Sequence, residues 1–179
     1  MKFSVNKFLQ RGIKTHKIKA AADPVTGPPK EQLEALIALY DQGQFEDVVT
    51  QATILLEQFP QAVIVYNILG VANKGLHHLD AAIECFNHAI AIEPDYAEAH
   101  YNLGNILKEQ GDLAGAIASY NRAIEINPDS AEANYSLGAT LQDKGDLSAA
   151  IESYRRALQI RPEYAEVHNN LGVALKVRG

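Results

Sequence analysis

The chain has 179 residues, a hydrophobic fraction of 47% and a formal net charge of −6. This composition excludes wholesale disorder, because a chain so rich in apolar residues can form a core. The single cysteine excludes a disulfide scaffold and a cysteine-based zinc site. A reducing compartment is therefore the default, and we expect a cytoplasmic protein. Because the net charge is acidic, we expect no binding to nucleic acid.

The charge is unevenly distributed along the chain. Residues 1–22 contain six basic residues and no acidic one, whereas the rest of the chain holds 10 basic and 22 acidic residues. Residues 23–29 include Pro24, Pro28 and Pro29, which break both helices and strands. We therefore divide the chain into a basic N-terminal arm with its linker, residues 1–28, and a second region, residues 29–179.

The basic arm has the pattern of an amphipathic helix. Helical spacing places six residues on one face: Val5, Phe8, Leu9, Gly12, Ile13 and His16. A basic amphipathic helix binds an anionic membrane surface or an acidic partner. The arm is also similar to an organelle presequence, and a flexible solubilising tail is the alternative. Its charge favours a further hypothesis, in which residues 1–22 dock on the acidic region of the same chain or of a neighbour.

Residues 29–179 are internally repetitive with a period of 34 residues. Residues 97–130 and 131–164 are identical at 18 of 34 positions. A proline column contains Pro60, Pro94, Pro128 and Pro162. A Leu-Gly column ends at Gly70, Gly104, Gly138 and Gly172. A third column contains Gly43, Gly111 and Gly145, with His77 at the remaining position.

Each repeat unit has the pattern of two helices joined by a tight turn. Apolar residues recur at i, i+3, i+4 and i+7 on both sides of the turn, and no segment alternates like a strand. Gly111 is suited to the left-handed end of a first helix, and Asp112 is suited to cap the second helix. The stretches 95–98 and 129–132, which begin with Asp95 and Asp129, are predicted to be capping boxes that open the next unit.

These columns resemble the tetratricopeptide repeat. The resemblance is carried by Tyr66-Asn-Ile-Leu-Gly70, Tyr101-Asn-Leu-Gly104, Tyr135-Ser-Leu-Gly138 and Asn169-Asn-Leu-Gly172. It implies an all-α protein, a right-handed α-solenoid (superhelix) of helix-turn-helix repeats at 29–62, 63–96, 97–130 and 131–164, with a partial repeat at 165–179. The amino-acid sequence of the repeats is similar to that of the repeat arms of O-linked N-acetylglucosamine transferase and of bacterial repeat proteins.

The first and last units depart from this pattern. The first unit has Leu36 and Leu55 where the others have Gly and Ala, which indicates a divergent cap. The last unit keeps apolar residues where a terminal cap should be polar: Val167, Leu171, Leu175 and Val177. Either this helix only shields the fourth repeat, or the chain is part of something longer. Self-association through terminal helices or the basic arm is a further expectation.

Catalytic motifs are absent from the sequence, so we expect no enzyme and no cofactor. It contains no nucleophile elbow, phosphate-binding glycine loop, H-E-x-x-H or C-x-x-C. His77, His78 and His88 could form a metal cluster, but turn-exposed histidines are the favoured interpretation, and we expect no metal site. Cys85 lies among Ala and Phe and is predicted to be inert.

The resemblance implies that first helices line a concave groove which holds a peptide or a partner helix. Amides can grip a peptide backbone, because each both donates and accepts hydrogen bonds, and tyrosines add rigid contact area. The alternative is that these are ordinary consensus surface residues. The candidate binding residues are Asn67, Lys74, Tyr101, Asn102, Asn105, Lys108, Tyr135, Asn169 and Asn170.

The sequence therefore favours a non-enzymatic scaffold that binds a protein or peptide. One alternative is the substrate-recruiting arm of a larger glycosyltransferase or sulfotransferase-like enzyme. Another is a self-assembling module. The repeat architecture fixes the shape of a groove and does not identify its ligand.

Overall fold

The computed structural model describes residues 27–179, and within this range all regular structure is α-helical. The predictions for the arm at residues 1–22 lie outside the described residues. In chain order the helices are α1 Lys30–Asp41, α2 Phe45–Gln58, α3 Val63–Gly75, α4 Leu79–Ile92, α5 Ala97–Glu109, α6 Leu113–Ile126, α7 Ala131–Asp143, α8 Leu147–Ile160 and α9 Ala165–Arg178. None of these helices is both long enough and apolar enough to cross a bilayer.

The helices associate in sequential pairs, and the chain divides into two compact units between Glu93 and Pro94. The first unit holds the pairs α1–α2 and α3–α4, and the second unit holds α5–α6, α7–α8 and the further helix α9. The all-α class and the helix-turn-helix repeat are therefore confirmed.

Left-handed residues end the first helix of each pair. Gly43, Gly111 and Gly145 have φ angles of +75°, +84° and +90°. His77, at the same position of the second repeat, has φ +59° and is the one non-glycine residue with positive φ among residues 27–179. The turn column found in the sequence thus marks a backbone requirement, which His77 meets at a steric cost.

The predicted caps of the second helices are confirmed, whereas the predicted capping boxes are wrong. Asp112 accepts a hydrogen bond from the Gly115 amide at 2.9 Å, and Asp146 caps α8 in the same way. Helix α7 is capped by Ser130, whose side chain accepts from the Ala133 amide. Because the turn after the proline takes in one more residue, Asp129 precedes the cap position. Helix α5 likewise begins after Tyr96, without a side-chain cap.

The first helix pair and the final helix α9 are packed differently from the rest. Leu36 is 1% exposed and belongs to the core of the first unit. The side chain fits there because Ala52 stands at the position from which the ring of Phe86 covers Gly70 one repeat later. In α9, Val167 and Ala174 are buried. Three large apolar side chains of α9 are exposed to 50%, 37% and 66%, respectively: Val173, Leu175 and Val177.

Candidate functional site

Two side-chain contacts connect the three first helices of the second unit. The Lys108 ammonium on α5 lies 3.0 Å from Asp143 Oδ2 at the end of α7. The Asn170 amide on α9 donates to the Tyr135 hydroxyl on α7 at 3.2 Å. Helices α5, α7 and α9 therefore present neighbouring side chains on one surface, which we call the first-helix face. Its members are Tyr101, Asn105, Lys108, Tyr135 and Asn170.

Buried tyrosines of the second helices hold amides on this face. The Tyr120 hydroxyl on α6 donates to Asn105 Oδ1 at 2.8 Å, and the Tyr154 hydroxyl on α8 donates to Gln142 Oε1 at 3.0 Å. One repeat after Asn105 stands Ala139, which has no amide to accept the hydrogen bond. The acceptor in the later repeat is therefore Gln142, one helical turn further along α7. In both cases the phenol fixes the amide oxygen and leaves the amide N–H groups directed elsewhere.

Aromatic rings support the two tyrosines of the first-helix face. Tyr101 packs on Tyr120 with ring centroids 5.9 Å apart. Tyr135 lies between Tyr154 and Tyr164, at centroid distances of 6.2 and 5.3 Å. Tilted pairs at these separations are favourable and restrict ring motion. Both tyrosines are half-buried, so each keeps part of its surface in contact with solvent.

An arginine at the end of α8 binds both a carboxylate and an aromatic ring. Arg161 forms a short ion pair with Glu132 on α7. Its guanidinium carbon also lies 4.5 Å from the centroid of the Tyr164 ring. The side chain thereby links α7 to the turn before α9, next to the ring that supports Tyr135.

Burial keeps the supporting phenols protonated. Desolvation raises the pKa of Tyr154 and that of Tyr164 to about 12, and it raises the pKa of Tyr120 further. These groups therefore remain neutral hydrogen-bond donors across the physiological pH range.

The other predicted site residues differ in exposure. Asn169 is exposed, whereas Asn102 is half-buried and already interacts within the protein. Lys74, in the first unit, is half-buried and also has an interaction partner. Asn67 is 3% exposed, so its inclusion as an accessible contact residue is wrong. Helix α3 is buried over a wide arc that includes both of its asparagines, Asn67 and Asn73.

Sequence reasoning missed the partners that hold the first-helix face. Lys108 and Asp143 are 35 residues apart, and so are Tyr135 and Asn170. An offset of one repeat plus one residue thus marks contacts between successive first helices. Searching the columns at that offset for complementary pairs would have found both contacts.

His100, His168 and Cys85 are placed for packing and hydrogen bonding within the protein. His100 Nε2 lies 2.9 Å from the Pro94 carbonyl oxygen, and His168 Nε2 lies 2.7 Å from that of Pro162. The same contact between a histidine and the preceding proline thus occurs in two repeats. Burial raises the pKa of the Cys85 thiol to about 11, which keeps it protonated. Among residues 27–179, no cluster of three His, Cys, Asp or Glu side chains could hold a metal ion.

Known proteins with similar sequences or folds share this repeat. A sequence profile of the TPR repeat matches residues 78–111, 104–145 and 140–177. The protein named probable biofilm formation methyltransferase WspC, from Pseudomonas putida, is 31% identical over 85 residues. That match covers 48% of this chain and 20% of the relative, so the chain spans about a fifth of the relative's length.

Two solved structures illustrate the likeness of fold. The crystal structure of MamA superposes with a TM-score of 0.74 at 26% identity, covering 80% of this chain and 84% of MamA. YrrB, described as a TPR protein with an unusual peptide-binding site, gives a TM-score of 0.69 at 19% identity, covering 95% of this chain and 83% of YrrB. The repeated columns, the helix pairs and the profile match together place the chain in the tetratricopeptide-repeat family.

Proposed function

We propose that the first-helix face of residues 94–179 binds an extended peptide or a partner segment, and that the protein acts as a non-enzymatic scaffold. The observation that carries the proposal is that its polar side chains are held by neighbours. Asn105 is fixed by Tyr120, Lys108 by Asp143, and Tyr135 by Asn170. Side chains that are ordered before binding lose less entropy when a ligand arrives.

The orientation of these groups favours recognition of backbone carbonyls. The oxygen of Asn105 is engaged by Tyr120, so its N–H groups are the part offered to a ligand. The Tyr135 oxygen accepts from Asn170, so its own proton can be donated outward. A face rich in donors suits the carbonyls of an extended chain, which every peptide carries. Half-buried Tyr101 and Tyr135 would add apolar contact without reading one particular side chain.

Two comparisons support this assignment. The chain belongs to the TPR family, and YrrB, which has the same fold, is described as having a peptide-binding site. The proposed cytoplasmic location agrees with a single cysteine whose thiol is free and buried.

A matched pair of variants tests the proposal. A random peptide library displayed on phage is panned against the full chain, and the dissociation constant of a selected peptide is measured by fluorescence anisotropy. Asn105→Ala should weaken binding about twofold to tenfold, since one hydrogen bond contributes roughly 0.5–1.5 kcal/mol. Asn121→Ala, at an exposed site on the second helix α6, should leave binding unchanged. Equal affinity of the two variants for every selected peptide would exclude this face.

A second candidate function, self-assembly, is favoured by the exposed apolar surface of α9. Val173 and Val177 are 50% and 66% exposed. A Cβ added at Gly172 would meet no other atom within 4 Å, so this surface also lacks the ring that covers the equivalent glycines. Sedimentation equilibrium should then show concentration-dependent association that Val177→Lys abolishes. A protein that stays monomeric at high concentration excludes this candidate.

The third candidate, a recruiting arm of a larger enzyme, has one observation in its favour. A similar segment occurs within a protein named as a methyltransferase, which is neither a glycosyltransferase nor a sulfotransferase. Sequencing the genomic region that encodes this chain tests the idea, because a catalytic domain in the same reading frame would support it and further repeats alone would not.

A further inference from the structure

The first helix pair carries an open apolar groove. A cavity of about 330 Å³ lies between α1 and α2. Its lining includes the buried Leu36 and Leu55, the half-buried Leu39 and, at its exposed edge, Gln32, Asp47 and Ile54. Ile54 is 44% exposed, although isoleucine is among the residues most often found inside proteins.

The next repeat shows that these positions normally face a helix. Leu39 and Leu55 of the groove correspond, one repeat later, to Asn73 and Ala89. Asn73 is 6% exposed and Ala89 is 0% exposed. Leu69, which corresponds to Ala35 in the groove, packs in one cluster with core residues of the first repeat. The groove is therefore the part of the repeat surface that a preceding helix would cover.

The surface around the groove is strongly acidic. Helices α1 and α2 with their turn, residues 30–58, contain six Asp or Glu and one Lys. That lysine, Lys30, already pairs with Glu34 at 3.1 Å. Asp47, at the exposed edge of the groove, accepts a hydrogen bond from the neutral Gln44 amide. A ligand for this groove should accordingly combine apolar and basic side chains.

We propose that residues 5–16 of the same chain occupy this groove as an amphipathic helix. The segment supplies both requirements, because Phe8, Leu9 and Ile13 share one helical face and the arm carries six basic residues and no acid over residues 1–22. Leu39 and Ile54 offer the apolar surface, and the carboxylates of α1 and α2 the negative charge, that this segment requires. This intramolecular contact uses a surface separate from the first-helix face.

The connection to α1 is long enough for this arrangement. Residues 17–29 form the tether, and an extended chain reaches about 3.3 Å per residue, or roughly 40 Å in total. A 12-residue helix is only about 18 Å long. A short covalent tether also gives the arm an effective concentration of about 1 mM at the groove, which favours the intramolecular contact over a second copy.

Hydrogen–deuterium exchange of the full chain tests the proposal. In the wild-type protein, the amides of residues 5–16 should exchange at least about tenfold more slowly than in a synthetic peptide of residues 1–22, because helical amides are protected. Ile54→Lys, which puts a cation into the groove, should remove the protection. Val177→Lys makes a similar change at another exposed apolar residue and should retain it. Protection should also fall in about 1 M NaCl, where the Debye length is about 3 Å.

A variant in the arm keeps the test independent of the fold of the repeats. Phe8→Asp alters only the arm, so it should abolish protection while the far-ultraviolet circular dichroism spectrum of the helices is unchanged. Exchange in the wild type as fast as in the free peptide would overturn the proposal. So would equal protection in Ile54→Lys and Val177→Lys, or protection that increases with protein concentration, since the latter would place the arm on a second copy.

Discussion

Gly104 on α5 and Tyr120 on α6 approach so closely that no side chain fits at position 104. A Cβ added to Gly104 would lie 2.7 Å from Tyr120 Cε1, well inside van der Waals contact. The ring is 0% exposed, and its hydroxyl is bonded to Asn105, so it has no free direction in which to move. The repeated glycine is therefore a packing requirement of the helix pair.

Replacing this glycine should destabilise the protein. We expect Gly104→Ala to lower the free energy of unfolding by about 1–3 kcal/mol, the usual effect of overpacking a core. Gly172→Ala is the matched control at the same repeat position, where an added Cβ meets nothing within 4 Å. That variant should be neutral or more stable by about 0.5–1 kcal/mol, because alanine favours a helix over glycine. Urea unfolding followed by circular dichroism measures both, and equal midpoints for the two variants would contradict the packing argument.

The glycine column could be read from the sequence because each repeat imposes the same packing problem. A residue that recurs every 34 positions in the sequence therefore marks a contact that recurs in the fold. The turn column of Gly111 and Gly145 could be predicted for the same reason. The role of Tyr120 as an anchor for Asn105 could not be read in this way. In the other complete repeat of the second unit the acceptor moves by one helical turn to Gln142, so the columns do not preserve it.

Other properties depend on how each helix is oriented in its surroundings. Asn67 was predicted to be accessible from its column, but burial depends on how wide an arc of α3 is covered, which a repeat alignment does not contain. Similarly, Ser130 rather than Asp129 caps α7 because the turn after the proline takes in one additional residue. Periodic patterns specify which residues are equivalent, whereas absolute exposure and cap position depend on local geometry.

Stability should fall in alkaline solution because buried phenols must ionise. Burial raises the pKa of Tyr154 and Tyr164 to about 12 in the folded protein, whereas an unfolded tyrosine titrates near about pH 10. The folded state thus holds these protons more tightly. Their contribution is complete below about pH 10 and is lost as the pH rises from about 10 to 12. The urea midpoint should decrease over this interval, and the decrease should be shallower in Tyr154→Phe. A urea midpoint that does not change with pH, or one that falls equally steeply in the wild type and in Tyr154→Phe, would contradict this prediction.

The left-handed histidine offers a way to stabilise the first unit. His77 has φ +59°, and this conformation costs a residue with a Cβ roughly 1–2 kcal/mol. We expect His77→Gly to raise the unfolding free energy by about 1 kcal/mol, after the greater flexibility of glycine in the unfolded chain is subtracted. Gly111→Ala makes the reverse change at φ +84°, where a Cβ would touch nothing, and should destabilise by a similar amount. Thermal melting of both variants checks the pair, and shifts in the same direction would rule out the backbone explanation.

The contacts of Arg161 require a guanidinium group. This side chain pairs with Glu132 and lies 4.5 Å from the Tyr164 ring centroid, and only a planar cation satisfies both at once. Because Arg161 is 35% exposed, solvent weakens the pair, and we expect Arg161→Lys to cost about 1 kcal/mol.

Arg156→Lys is the control for this change, because Arg156 is exposed and bonds only to Gln159 in the same helix among the contacts of the described residues. It should shift the urea midpoint little. A double-mutant cycle with Glu132→Gln then separates the two contacts of Arg161. The coupling free energy between Arg161 and Glu132 should decrease with added salt. The rest of the stability lost in Arg161→Lys, which comes from the contact with the Tyr164 ring, should stay the same, since contact with a ring is screened less than an ion pair. If Arg161→Lys and Arg156→Lys have equal midpoints, Arg161 does not stabilise the turn before α9.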